Sequence, residues 1–157
     1  MPRIDGSIEV AASPEIVWSL LLDRENEFKF YPDLVSHEID PPGLAVLGQK
    51  SHAKAKIRGM KVETFTEIAE LEPNKKLVFR QRQGAFLKSF TQIVTLEPVE
   101  SGTKVTQSGE YEVSMGYLGN ILRNLVVDRA IRKNFDVFLK SLKEMAELKE
   151  PPQTPLS

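Results

Sequence analysis

The chain contains no cysteine among its 157 residues. That absence removes disulfides, thiolate metal ligands and cysteine nucleophiles together, and it is compatible with a cytoplasmic protein. Histidine is scarce, with two copies, so metal centres and imidazole acid–base chemistry have little to draw on. Neither sign of charge dominates. The formal net charge is -1 and the isoelectric point about 6.2, so no global field draws nucleic acid. No apolar run is long enough to span a bilayer. The opening Met1 to Gly6 has no apolar signal core, so export by a signal peptide is not expected. There is no HExxH spacing and no phosphate-cradling glycine loop, since Gly116 and Gly119 stand too close together for one. No cofactor and no metal are expected.

What is present reads as an ordinary globular chain, 41% hydrophobic and 27% charged. The length suits one domain, residues 1–148, followed by a short disordered tail, 149–157, holding the proline-rich "EPPQTPLS". Arg3 to Val10 is a strand candidate. "ASPEIVWSLLLD" then starts a helix, with Ser13 as N-cap, Pro14 at the first helical position and Glu15 at the positive end of the dipole. Val17, Leu20 and Leu21 form its apolar stripe, with Trp18 beside it. A second short helix or turn covers Glu25 to Tyr31 and stops at Pro32. Turns at Pro41-Pro42-Gly43, Gly59-Met60, Pro73-Asn74, Gly84-Ala85 and Glu97 to Gly102 then divide the chain into six strands, an antiparallel meander. From Met115 to about Leu148 the periodicity is helical. An apolar-faced sheet must be covered, and that long helix is the only element large enough.

Three stretches carry a resemblance: "IEVAASPEIVWSLLLD" (Ile8 to Asp23), "EIAELEPNKKLVFR" (Glu67 to Arg80) and "TLEPVESGTKVT" (Thr95 to Thr106). With the β-α-α-β6-α order they make the chain similar to the START/polyketide-cyclase-like superfamily, which shares the α+β helix-grip fold with the birch-pollen-allergen-like proteins. The resemblance covers about residues 3 to 148. It implies a curved antiparallel sheet wrapped around the C-terminal helix. It also implies an internal hydrophobic cavity for lipids, quinones, polyketides or other apolar small molecules. Its signatures are structural rather than catalytic.

Alternation assigns the faces. Ser51, Ala53, Ala55 and Ile57 share one side of their strand, and Val62, Thr64, Thr66 and Ile68 share one side of the next. The opposite sides carry His52, Lys54, Lys56 and Arg58 against Lys61, Glu63 and Glu67, which makes the charged side solvent. Phe65 is an apolar exception there. The inner face continues through Leu77, Phe79 and Gln81, through Phe90, Gln92, Val94 and Leu96, and through Val105, Gln107, Gly109, Tyr111 and Val113. His37 joins it provisionally. Three glutamines are hard to hide in a dry core, because each buried, unpartnered amide costs about 1–3 kcal/mol. A ligand site resolves that conflict, with Ser51, Ala53, Ala55 and Gly109 leaving room. The alternative is that some of these polar residues sit at strand ends and face water.

On the long helix the apolar stripe is Ile131, Phe135, Phe138, Leu139, Leu142 and Met145. Traced back, that face turns polar through Asp128, Asn124, Asn120 and Tyr117, while Leu118, Ile121, Leu122, Leu125 and Val126 lie on another side. Either the helix bends near Asn124 to Asp128 and Leu118, Leu122 and Leu125 cover the site, or the site sees Tyr117, Asn120 and Asn124 and the leucines face a partner, such as a second subunit or a membrane.

The residues read as ligand-binding are therefore His37, Ala53, Ala55, Thr64, Thr66, Phe79, Gln81, Phe90, Gln92, Gln107, Tyr111, Tyr117, Leu118, Leu122 and Leu125. No pair of inward carboxylates is found, so no catalytic residue is assigned. The expected partner is an apolar small molecule, with no nucleic acid, a transient membrane contact through Leu44 to Leu47 or Phe86-Leu87 left open, and a monomer or weak homodimer. A cyclase/dehydratase-type enzyme using Tyr111 or His37, and a protein-interaction module using Leu118 to Val126, are the rival readings.

Overall fold

The computed structural model describes residues 3–24, 34–57, 59–84, 87–113 and 128–149. Ser13 starts the first helix as expected. Its extended backbone presents the side-chain oxygen to the Ile16 N–H at 3.4 Å, and Pro14 takes the first turn without loss because that N–H has no helical acceptor. The element order is β1 (Arg3–Val10), α1 (Pro14–Leu22), β2 (Leu34–Asp40), β3 (Lys50–Ile57), β4 (Met60–Glu72), β5 (Lys76–Gly84), β6 (Leu87–Val99), β7 (Gly102–Val113) and α2 (Asp128–Lys149). The seven strands form one antiparallel sheet in the order β1-β7-β6-β5-β4-β3-β2. The meander runs from one edge to the other, and the first strand closes onto the last. This is the helix-grip arrangement.

Lys149, read with the tail, is the last residue of α2. The second helix or turn expected over Glu25 to Tyr31, the helical segment before Asp128 and residues 150–157 of the tail lie outside the described residues. So do Tyr117, Leu118, Leu122 and Leu125, and the bend proposed near Asn124.

The β6–β7 hairpin is tighter than the sequence suggests. The strand runs on through Pro98 to Val99, and only Glu100 and Ser101 turn before Gly102 pairs with Val99. Proline lacks a ladder donor, but β5 pairs β6 no further than Thr95, so at Pro98 the strand has only β7 beside it. Gly102 is required there. Its φ is +144°, and a Cβ would lie 2.2 Å from the Val10 carbonyl oxygen. Thr103 adds a hydroxyl bond to the Ala12 carbonyl at 2.7 Å, pinning the β1–α1 corner to this hairpin.

The main core lies at that end of the sheet. Val10, Leu77, Val94, Leu96 and Val105 from the strands meet Val17, Trp18, Leu20 and Leu21 from α1 and Phe138, Leu139, Leu142 and Ala146 from α2. The stripe on α2 is the expected one, with Ala146 added to it. A smaller cluster of Ile4, Tyr111 and Phe135, with Phe90 and Ile131 against it, lies toward the other end of β1 and β7.

Candidate ligand site on the concave face

Cross-strand partners in an antiparallel sheet share a face, so one fixed point sets the whole surface. Gly109 provides it. A Cβ on Gly109 would lie 3.0 Å from Phe135 Cζ on α2 and 3.2 Å from Phe90 Cζ, so its side faces the helix. The small residue at Gly109, expected to leave room for a ligand, is instead filled by these two aromatic rings. The helix needs that close approach to seat Phe135.

From Gly109 the register carries the concave face across the sheet. One row runs Ile4, Gly109, Gln92, Phe79 and Ile68. The next runs Tyr111, Phe90, Gln81, Thr66, Ser51 and Ile39. Beyond it Thr64, Ala53 and His37 pair in line, with Val62, Ala55 and Leu34 outside them. The sequence assignment of these faces agrees with the register. Register shifts interrupt strict alternation at Leu34/Ser36, Phe65/Thr66, Ile68/Glu70 and Leu87/Ser89. A bulge at Ala69 shifts the phase of β4, which sets Leu71 opposite Leu77 on the inner face.

This face has two characters. Toward the β6–β7 turn it is dry and sealed by α1 and α2. Toward the other end it is polar and only half-buried at His37, Ala53, Ala55, Thr64, Thr66, Gln81 and Gln92, with Phe79 and Phe90 half-buried among them. The Ser51 and Thr66 hydroxyls bond to each other, which reduces their demand for outside partners. The inner-face rows named above carry no Asp, Glu, Lys or Arg side chain.

On β7 two side chains are fully buried and incompletely satisfied. Tyr111 is 0% exposed and Gln107 1% exposed, and among the described residues neither the Tyr111 hydroxyl nor Gln107 Oε1 has a hydrogen-bond partner. Gln107 sits on β7 between Val105 of the main core and Tyr111 of the smaller cluster. Both atoms lie on the concave side, at the boundary between its dry and polar parts. Each leaves a desolvation cost of about 1–3 kcal/mol standing in the protein alone.

Sequence reasoning missed one residue here. Arg24 follows α1, whose C-cap residue Asp23 turns back its N–H to the Leu20 carbonyl at 3.3 Å. The Ala45 N–H, bonded to the Leu22 carbonyl at 2.9 Å, fastens the β2–β3 loop to the same point. Arg24 is thereby turned inward. It is 4% exposed, and its guanidinium carbon stands 4.8 Å from the centre of the Phe79 ring. A charged residue in "LLDREN" reads as solvent-facing, and no local pattern marks it otherwise.

The convex side is the solvated ladder that the charge pattern suggests. His52 stacks on Phe65 at 4.2 Å, which accounts for the apolar exception, and lies 3.5 Å from a Glu63 oxygen that also meets Lys54 at 3.8 Å. On β1 and β7, Arg3 joins Asp5 and Glu110, and Ser108 donates to Asp5. Those bonds hold the Asp5 carboxyl below the usual carboxylate range, the Ser108 hydroxyl contributing most. In the Leu44 to Leu47 loop Ala45 is packed inside, whereas Leu44, Val46 and Leu47 are exposed. Buried Gln49 braces this loop by donating to the Pro41 and Leu44 carbonyls. No helix among the described residues is long and apolar enough to cross a membrane.

Several solved structures share this architecture. The protein TTHA0849 from Thermus thermophilus is 23% identical, with a TM-score of 0.80, covering 96% of this chain and 100% of that one. A START superfamily protein from Mycobacterium smegmatis is 18% identical, with a TM-score of 0.74 and coverage of 93% and 97%. The Zhui aromatase/cyclase from Streptomyces sp. R1128 is 15% identical, with a TM-score of 0.80 and coverage of 93% on both sides. At these identities the likeness is one of fold. No curated protein matches the sequence. The family described as polyketide cyclase / dehydrase and lipid transport matches residues 1–147, nearly the whole chain, and the protein belongs to that family.

Proposed function

We propose that this protein binds and carries an apolar small molecule, lipid-, quinone- or polyketide-like, between the concave face of the sheet and its C-terminal helical region. The observation that carries the reading is that two buried polar atoms on the concave side of β7, the Tyr111 hydroxyl and Gln107 Oε1, have no hydrogen-bond partner among the described residues and lie at the edge of a dry aliphatic core. A carbonyl or hydroxyl on an otherwise apolar ligand satisfies them, while Phe79 and Phe90 supply contact area and Gln81 and Gln92 line the half-buried approach. His37, Ala53, Ala55, Thr64 and Thr66 complete that approach. A cytoplasmic monomer or weak homodimer fits the absence of cysteine and the balanced charge.

The test is native mass spectrometry of the gently purified protein, followed by solvent extraction and identification of what is released. A co-purifying apolar molecule at one per chain supports the reading. A clean apo mass, with no thermal shift against lipids, quinones and polyphenols, overturns it. One observation favours a second reading, cyclase or dehydratase chemistry. Tyr111 is a proton donor held away from water, as a catalytic acid facing a polyketide is. Turnover that disappears in Tyr111→Phe while ligand binding persists would select it.

A further inference from the structure

Gln107 is set among apolar neighbours in the dry half of the concave face. Across the sheet it stands between Gly6 on β1 and Val94 on β6, and along β7 between Val105 and Gly109. From α2, Leu139 and Phe135 close over the two glycines. A Cβ on Gly6 would lie 3.5 Å from Leu139 Cδ1 and 4.0 Å from Phe135 Cδ2, and Phe135 Cζ is the atom nearest to Gly109. None of these six side chains carries an N–H or O–H. Gln107 is 1% exposed, and its Oε1 has no hydrogen-bond partner among the described residues.

An aliphatic side chain suits such a place, as Val94 and Leu77 do in the same row. An orphaned buried acceptor is a standing cost to the folded chain that an aliphatic residue does not incur. The cost is recovered when the missing donor arrives with a ligand. The two orphaned atoms of β7 differ in what they accept as a partner. A phenolic hydroxyl both donates and accepts, so Tyr111 takes a carbonyl or a hydroxyl alike. An amide oxygen only accepts. A carbonyl or ether set against it brings two acceptors together away from water, whereas a hydroxyl closes a bond.

Resting on the apolar-ligand reading above, we propose that Gln107 selects the ligand of that site, and that the preferred ligand carries a hydrogen-bond donor at its buried end. The class is an apolar alcohol or phenol rather than a ketone, quinone or ester. A hydroxyl satisfies Gln107 and Tyr111, while a carbonyl serves Tyr111 alone. Gly109 separates the two residues along the strand and the Phe135 ring covers it, so a ligand running from Tyr111 to Gln107 takes that ring's place.

The experiment uses the full chain and two pairs of probes matched in carbon skeleton, 2-undecanol with 2-undecanone and 1-tetralol with 1-tetralone, titrated calorimetrically at pH 7.5. The wild type is expected to bind the alcohol at least about tenfold more tightly than its ketone in the skeleton that fits. Gln107→Leu, and Gln107→Met with a shape closer to glutamine, are expected to lose that preference by weakening the alcohol alone. Neither variant should unfold at lower urea concentration than the wild type when free of ligand, because each removes an unsatisfied group. Equal affinity of the wild type for alcohol and ketone overturns the inference and leaves the apolar-ligand reading intact. A preference that persists in both variants overturns it too. So does a marked loss of ligand-free stability, or a failure to fold, in both variants, since the amide would then have a partner within the protein. Failure of the wild type to bind any of the four probes counts against the ligand site itself, and the inference goes with it.

Discussion

Replacing Tyr111 by Phe should make the ligand-free protein more stable. The side chain is 0% exposed and its hydroxyl has no hydrogen-bond partner among the described residues. Unfolding returns that hydroxyl to water, so the native state bears a desolvation cost of about 1–3 kcal/mol that Phe does not incur. Against this stands the loss of one atom's packing. At about 0.1–0.2 kcal/mol per contact, a handful of contacts restores about 0.5 kcal/mol. The net gain is about 1–2 kcal/mol, a rise in melting temperature of about 2–8 °C for a chain of this size. Urea unfolding followed by circular dichroism, on protein stripped of lipid by denaturation and refolding, measures it directly. The slope with denaturant should not change, since the exposed area is the same. With ligand bound the sign should reverse, because the hydroxyl then has its partner and the Phe variant binds more weakly. A Phe variant that loses about 1 kcal/mol or more in the ligand-free state refutes the argument, for it would mean the hydroxyl already has a partner in the protein.

Gly102→Ala should cost about 3 kcal/mol or more in the same assay, since neither the Val10 carbonyl nor the left-handed backbone can yield to a methyl group. Leu142→Ala, at a site with 0% exposure between both helices and the sheet, should cost about 2–5 kcal/mol, measured by urea midpoint. Asp5 tests the pH dependence. Its folded-state carboxyl is held low by Ser108 and Arg3, so its contribution is present above the ordinary aspartate range and is lost as pH falls through the lower folded value. Because the side chain is about half exposed, the effect is small. Asp5→Asn should be slightly less stable than wild type at pH 7, with the two curves converging as pH falls through the lowered folded value in a series of thermal melts.

The strand pattern was legible because charge and burial alternate with period two over long segments. Lys50 to Ile57 against Met60 to Glu72 is the clearest case. Its basic and acidic rows meet across the ladder, and the opposite sides carry Ala53, Thr64, Ser51 and Thr66. The start of α1 was legible from Ser13-Pro14, a local signal with a local cause. The bulge at Ala69 was not, since an extra residue leaves no mark in composition and shows only when two strands are laid together. Gly109 was read correctly as inner but for the wrong reason. The occupant of its space comes from a helix well down the chain, and periodicity carries no distance between elements. Arg24 and Gln49 were missed for a related reason. Both look like surface residues in their own segments. One is drawn inward by a backbone bond between Leu22 and Ala45, and the other closes a loop onto two carbonyls. A buried polar residue is specified by the partner it meets, and that partner is remote in sequence.

The pairing of the first strand with the last has a consequence for how this chain is made. Arg3 and Glu110 lie 107 positions apart. A ribosome emits β1 and α1 long before β7 exists, and at about 5–20 residues per second the wait lasts seconds. During it, the apolar face of α1 has neither Phe138 nor Leu142 to meet, and β1 is a lone strand with open edges. The hairpins from β2 to β6 can assemble as they emerge, since each pairs with its immediate neighbour. The N-terminal segment joins only after synthesis has passed Val113, and the core seals when the final helix arrives. Vectorial synthesis therefore leaves the earliest-made segment as one of the last to be protected. A nascent chain stalled before β7 would present β1 and α1 to chaperones and proteases.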